Sequence, residues 1–301
     1  MKRFRMPRFL GPVGIVAMVL LSIPAIGAMM APPSITIASP AMGASITGAD
    51  IPVVVTVKNF RIECANAGKT NAPSGEGHIH AMIDGMSMAN LTNVACGDRF
   101  AVSGQGLKPG KHMLTVVLAA DDHAMSSLPA TVAFNYEPAS PEALPSAMAG
   151  GEPSVDVVSP KNGASVGRKF NLVLAVHHFN LSCALEGKPD VAGWGHIHVL
   201  VQQQGETSAS PMAPMVAMLA TRSGMAMAKS YMMQTHMTMA ELKPMMTMSE
   251  PSMIGMPCSK IIPIDLSTWH SGPAKIVVQL ANNDHMPTMG ATPAAISVDV
   301  K

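Results

Sequence analysis

The feature that most constrains this chain is an internal repeat. Residues 75–80 read Gly-Glu-Gly-His-Ile-His, and residues 193–198 read Gly-Trp-Gly-His-Ile-His. The landmarks that accompany both copies in the same order are Phe60 and Phe179, Cys64 and Cys183, Cys96 and Cys258, Asp122 and Asp284, and His123 and His285. Because duplicated sequence folds into duplicated structure, we expect the 301 residues to form two related domains.

The matched landmarks also set the domain boundaries. We predict a first repeat at residues 32–137, a linker at 138–152 and a second repeat at 153–301. Matched residues lie 118 positions apart at the paired histidines and 162 apart near the end, so the second repeat carries an insertion of about 44 residues within 202–256. The linker is rich in Pro, Ala, Ser and Gly, and we expect it to be mobile.

Each repeat has the pattern of an all-β domain. Short aliphatic and β-branched runs occur at 53–57, 114–118, 172–176 and 276–280, and Gly, Pro, Asn and Asp separate them. Strands at this spacing over about 100 residues are typical of an immunoglobulin-like sandwich. We therefore predict two tandem immunoglobulin-like β-sandwich domains that follow an N-terminal segment.

That N-terminal segment, residues 1–31, has the pattern of a signal peptide. Lys2, Arg3, Arg5 and Arg8 precede an apolar run, and small residues near Ala28 offer a cleavage site. The alternative is an uncleaved anchor in the inner membrane, which would be the chain's membrane contact. Either alternative predicts a periplasmic or extracellular protein.

The cysteine content fits such a compartment. Four cysteines in two matched pairs favour one disulfide per repeat, Cys64–Cys96 and Cys183–Cys258, in an oxidising environment.

Charge and motifs exclude other classes of function. The net charge is only +1 and 13% of the residues are charged, so we expect no nucleic-acid partner. Phosphate-binding loops, Ser nucleophile elbows and free thiols are absent from the sequence, so we expect no enzyme.

The repeated histidines are the candidate metal ligands. In a strand, His78 and His80 share one face, as do His196 and His198, while the intervening aliphatic residues face the core. We expect the histidine face to be exposed. A third ligand would come from His123 or His285, each a few residues after a predicted strand, and the preceding Asp could orient that imidazole or bind the ion itself. The remaining alternative is a polar strand whose imidazoles bond only to backbone or water.

Methionine favours copper as the metal. Fourteen of the 28 methionines lie between 211 and 256, inside the insertion, which we expect to be a long loop with a short helix near 230–241. Thioether sulfur suits Cu(I) and imidazole suits both copper states, with zinc as the runner-up. The candidate soft ligands are Met125, Met225, Met227, His236, Met237, Met239, Met246 and Met248. Adaptable packing by methionine is the alternative.

Two longer phrases carry a resemblance to known proteins. Gly-His-x-His-x-x-x-Asp at 77–84, followed by Leu-x-Pro-Gly-x-His at 107–112, resembles exported bacterial β-sandwich domains of unknown function, here in tandem. The second repeat departs from it, with Gln202 in place of the Asp and Ala274 in place of the last His. The His-x-Met of His123 and Met125 is similar to part of the site in periplasmic copper chaperones.

These observations lead to three functional hypotheses. The first is an exported protein that binds copper or a similar ion at His78, His80 and His123 and at His196, His198 and His285, for sequestration or hand-over. The second is a cell-envelope interaction module that binds another envelope protein and no metal. The third, from the similarity of a His-x-His strand to copper–zinc superoxide dismutase, is a redox enzyme of that type.

Overall fold

The structure, a computed structural model, describes residues 31–207, residue 229 and residues 252–301. Its strands in chain order are β1 (Ser34–Ser39), β2 (Ser45–Ile46), β3 (Asp50–Lys58), β4 (Arg61–Ile62), β5 (Glu76–Ile83), β6 (Leu91–Ala95), β7 (Arg99–Ser103), β8 (Gly110–Ala120), β9 (Ala130–Tyr136), β10 (Ser154–Ser159), β11 (Ala164–Val166), β12 (Lys169–His177), β13 (Asn180–Leu181), β14 (Trp194–Gln203), β15 (Met253–Gly255), β16 (Ile261–Asp265), β17 (Gly272–Ala281) and β18 (Ala294–Val300). Two short 3₁₀ helices are Met88–Asn90 and Cys183–Leu185.

The strands form two matched sandwiches. In the first sandwich, β1–β9, a sheet of order β1-β3-β7 packs on one of order β2-β9-β8-β5-β4, to which β6 adds beside β5. In the second sandwich, β10–β18, the orders are β10-β12-β16 and β11-β18-β17-β14-β13, with β15 beside β14. Every strand therefore has its counterpart nine strands later, and the predicted all-β, immunoglobulin-like fold is confirmed.

Strand alternation places the core as predicted. Ile79, Ala81 and Ile83 of β5 are buried between the two sheets of the first sandwich. Ile197, Val199 and Val201 of β14 occupy the same places in the second. Because neighbouring side chains on a strand point to opposite faces, these core positions fix the intervening histidines on the outer face of each large sheet.

The two sandwiches belong to one compact unit, Pro32–Lys301. The predicted linker, 138–152, has no helix or strand, but it is hydrogen-bonded to both sandwiches. The backbone oxygen of Glu142 accepts a 2.8 Å bond from the Gly106 N–H, and that of Ser146 accepts a 3.0 Å bond from Trp194 Nε1. These bonds connect the segment to both sandwiches.

Both predicted disulfides are present, Cys64–Cys96 and Cys183–Cys258. They indicate an oxidising, exported environment. In the described part of the chain, none of the helices is long and apolar enough to cross a lipid bilayer. The predicted signal or anchor segment, apart from residue 31, and the predicted helix near 230–241 lie outside the described residues.

Candidate metal centre

The second glycine of the repeated motif allows β5 and β8 to approach closely. A Cβ on Gly77 would lie 2.9 Å from the Cα of Ala120, and one on Gly195 would lie 2.8 Å from the ring of Phe179. Real side chains do not tolerate such distances, so a residue with a side chain would push the strands apart just before the first histidine. The motif thus encodes close strand packing as well as two imidazoles.

A tight turn after β8 brings in the third histidine. The N–H of Ala120 donates to the oxygen of Ala124 at 2.7 Å, and the N–H of His123 donates to the oxygen of Ala120 at 2.9 Å. The turn after β17 repeats both bonds, and His123 and His285 both adopt left-handed backbone conformations, with φ of 64° and 67°. Residues other than glycine seldom adopt this conformation, so the turn is a specific device that returns each histidine to the sheet.

In the first sandwich the three predicted ligands meet, and we call them cluster 1. His78 Nε2 lies 3.0 Å from His80 Nε2 and 3.0 Å from His123 Nδ1, and the last two nitrogens are 3.4 Å apart. A circle through the three has a radius of about 1.8 Å, so an ion bound at the usual imidazole distance of roughly 2.0–2.1 Å would lie about 1 Å from their plane. One side of such an ion would stay open to a fourth ligand.

The second sandwich repeats the arrangement as cluster 2, His196, His198 and His285. His196 Nε2 and His198 Nε2 are 3.0 Å apart, and one nitrogen from each of the three rings lies within 4.8 Å of the others. Nδ1 of His285 is buried and has no hydrogen-bond partner in the described residues. Three ring nitrogens that face one another need a shared proton or a cation, because their lone pairs repel.

The expectation of an exposed histidine face is wrong. His78 and His196 are 0% exposed, and the other cluster histidines are also buried. An antiparallel sheet often has one solvated face, but here the second sandwich covers the outer face of the first. Met256, for example, packs with Met82, Val117 and Leu91 on the same face as cluster 1.

Burial makes the imidazoles poor bases. It lowers the pKa of His80 to about 3, of His196 to about 2 and of His198 to about 4, and the neighbouring histidines add to the effect. The pKa values of His78, His123 and His285 are also lowered, again mainly by burial. Neutral imidazole is the form that binds metals, so protons would compete weakly at neutral pH.

Each third histidine is anchored by the opposite sandwich. His123 Nε2 donates to the backbone oxygen of Met253 at 2.8 Å, and His285 Nε2 donates to that of Leu91 at 2.7 Å. Leu91 and Met253 begin the equivalent strands β6 and β15. A proton held on Nε2 leaves the Nδ1 lone pair of a neutral ring free for an ion, so each sandwich fixes the tautomer of the other's ligand.

The two aspartates that precede the third histidines act mainly on the turns. Oδ1 of Asp122 accepts a 3.1 Å bond from the N–H of Ala124, and Oδ1 of Asp284 accepts a 2.9 Å bond from the N–H of Met286. Such bonds from a side chain to the backbone two residues on stabilise a turn. Their charges also raise the pKa of the adjacent histidines against the larger effect of burial.

One predicted soft ligand is described, and it lies beside cluster 1. Met125 is buried with Met82, which shares the histidine face of β5, and Met86, Met88 and Met256 pack against them. The other candidates lie outside the described residues: Met225, Met227, His236, Met237, Met239, Met246 and Met248.

The sequence reasoning missed a second repeated motif that joins the sandwiches. Residues 64–69 and 183–188 both read Cys-Ala-x-x-Gly-Lys, with the same register as the cysteines. Both lysines are buried and reach the opposite sandwich: Lys69 Nζ donates to the oxygen of Thr268 at 2.7 Å, and Lys188 Nζ to that of Ser103 at 2.9 Å. A buried lysine is unusual, and its recurrence was the available signal.

Comparison with known protein families finds no match, and comparison with characterised protein sequences finds none either. Solved structures match at low similarity. Fibronectin(III)-like modules of Clostridium thermocellum CbhA are 12% identical with a TM-score of 0.25, over 89% of this chain and 94% of theirs. Three N-terminal domains of the bacteriophage RB49 capsid protein Hoc are 10% identical with a TM-score of 0.22, over 90% and 70%. Dscam1 immunoglobulin domains are 9% identical with a TM-score of 0.19, over 90% and 47%.

Proposed function

We propose that this chain is an exported metal-binding protein that sequesters a transition-metal ion or hands it over, without catalysis. The observation that carries the proposal is the occurrence of two clusters of three buried histidines, each with ring nitrogens that converge at distances suited to one ion. Purely structural histidines would each need only one partner, and both copies keep the convergent arrangement although residues beside it, such as Met82 and Leu200, have diverged.

Copper is the leading metal in this proposal, and zinc is the runner-up. Imidazole nitrogen binds both, so the clusters alone do not separate them. The buried methionines beside cluster 1 and the methionine-rich insertion favour copper, because thioether sulfur binds Cu(I) well and Zn²⁺ poorly. If the protein binds more than two equivalents of Cu(I), the additional ions would be assigned to the methionine-rich insertion.

The test is a metal titration of the full chain, exported and purified from the periplasm. We expect two equivalents of Cu(II) or Zn(II), each bound more tightly than about 1 µM. His78→Ala with His80→Ala should remove one equivalent, and His196→Ala with His198→Ala the other. Removing a residue that binds the ion directly should lower the affinity of that site further than removing a residue that only hydrogen-bonds to a ligand. The latter change costs roughly 10–100-fold in affinity.

The matched control removes two histidines that lie outside the clusters. His177 and His178 are adjacent and exposed, so His177→Ala with His178→Ala should leave both equivalents in place. Failure of the parent protein to bind any of these ions more tightly than about 1 µM would overturn the proposal and leave the interaction module as the working hypothesis.

A further inference from the structure

A cavity of about 570 Å³ lies between the two sandwiches and reaches cluster 1. His78 and His123 line it from the first sandwich, and Glu186, Ile254 and Met256 line it from the second. None of its lining residues belongs to cluster 2. The two clusters, so similar in their ligands, therefore differ in their surroundings.

The cavity wall carries negative charge. Asp50 and Glu142 are exposed residues of the lining, whereas Glu186 is only 6% exposed. Neither Lys nor Arg is among the lining residues, although Nζ of Lys188 donates to the backbone oxygen of Ser103, which is one of them. The two exposed carboxylates attract cations and repel anions, whereas burial raises the pKa of Glu186 to about 8 and keeps its carboxyl largely neutral at pH 7.

Two buried polar groups on this wall lack an adequate partner. Oε1 of Glu186 lies 3.5 Å from Sγ of Cys258, but that sulfur belongs to a disulfide and has no proton to donate. His78 Nδ1 has no hydrogen-bond partner among the described residues. Polar groups left in this way cost free energy unless a polar occupant of the cavity meets them. The equivalent of Glu186 in the first sandwich is Ala67, so the carboxyl is not a remnant of the shared scaffold.

We propose that the cavity is the entrance through which a hydrated metal cation reaches cluster 1, and that Glu186 is a transient oxygen ligand along the way. This proposal rests on the proposed function. The space is sufficient, since six waters occupy roughly 180 Å³ at about 30 Å³ each. Carboxylate oxygen binds both zinc and copper, so Glu186, which would release its proton to water as the cation arrives, can replace one water before the three imidazoles replace further ones.

The test measures how fast cluster 1 takes up Co(II), whose visible absorption reports tetrahedral binding. The full chain with His196→Ala and His198→Ala retains cluster 1 alone. In this background Glu186→Gln should slow association by at least about threefold and leave the final absorption and the affinity unchanged. In the complementary background, with His78→Ala and His80→Ala, Glu186→Gln should not change the rate at cluster 2.

A second pair of variants tests the entrance without the buried substitution, whose effect on folding would otherwise confound the measured rate. Asp50→Asn and Glu142→Gln change exposed residues, and together they should slow uptake at low ionic strength but not at 1 M salt, where the Debye length is about 3 Å. Unchanged rates in both sets would overturn the entrance. A weaker affinity with an unchanged rate would make Glu186 a permanent ligand and would also overturn it. Absence of Co(II) binding in either parent background would instead count against the proposed function.

Discussion

The first and second sandwiches keep the same three histidines and the same hydrogen bonds that hold them. In each, a His-x-His strand meets a histidine on a left-handed turn, and that third histidine donates to a backbone oxygen of the other sandwich. The bonds are reciprocal, because the two acceptors, Leu91 and Met253, begin equivalent strands. The third histidine of each cluster is thus held by a hydrogen bond that forms only when both copies are packed together.

Outside the ligands, the two copies have diverged. Met82 and Met125 beside cluster 1 correspond to Leu200 and Pro287, so buried thioethers border cluster 1 at positions where the second copy has none. Glu186 on the cavity corresponds to Ala67. A few substitutions on the covering surface are therefore enough to give two equivalent histidine clusters different surroundings. Three predictions test how far the copies differ.

The largest expected effect concerns the carboxyl that only the second copy has. Burial raises the pKa of Glu186 to about 8 from 4.5. Between these values the unfolded chain has lost the proton that the folded chain retains, so stability should fall as pH rises from 4.5 to 8. Glu186→Gln should remove this slope and raise the free energy of unfolding at pH 8 by up to about 4 kcal/mol.

Urea denaturation at pH 5 and pH 8 checks this prediction. The variant and the parent should have similar midpoints at the lower pH and separate at the higher one. Parallel pH profiles would show that the carboxyl ionises in the folded protein as it does in water.

The next effect compares the matched lysines of the interface. Lys69 Nζ pairs with Oε2 of Glu206 at 3.0 Å, and that carboxylate is 0% exposed, whereas Lys188 donates to the neutral backbone oxygen of Ser103. Lys69→Met removes the buried cation from Glu206, whose other oxygen keeps its contacts with His270, and should cost about 3 kcal/mol of stability. Lys188→Met should cost about 1 kcal/mol or less. Equal losses in urea denaturation would contradict this asymmetry.

The smallest effect concerns glycines on which the two copies should agree. Gly68 and Gly187 have positive φ, and an added Cβ would lie 2.9 Å and 2.7 Å from the backbone of the opposite sandwich. Changing either to Ala should cost about 2–3 kcal/mol, part of it from the left-handed conformation and part from separation of the sandwiches.

Gly43 and Gly163 are the matched controls, because they share the positive φ but have no atom within 4 Å of an added Cβ. Their Ala variants should lose only about 1 kcal/mol, measured by the same denaturation. If all four variants lose the same amount, the interface contributes nothing to the cost.

Much of the molecule could be predicted because its determinants are local or repeated. Alternation on β5 placed Ile79 in the core and His78 opposite it, and the repeated cysteines identified the disulfides. The turn that returns His123 to the sheet was inferred only as a position after a strand. Its left-handed conformation, and the reason for Gly77, depend on how closely β8 approaches β5.

The repeat and its alternation were enough to predict two sandwiches, both disulfides, the histidines that share a face and the strands that carry the aliphatic runs, β3, β8, β12 and β17. Only the packing of the two sandwiches shows that this face is buried, that Met253 and Leu91 accept hydrogen bonds from His123 and His285, and that a cavity with Glu186 reaches cluster 1. This follows because the period of a strand specifies which side chains share a face, whereas what covers that face depends on the fit between surfaces more than a hundred residues apart in the chain.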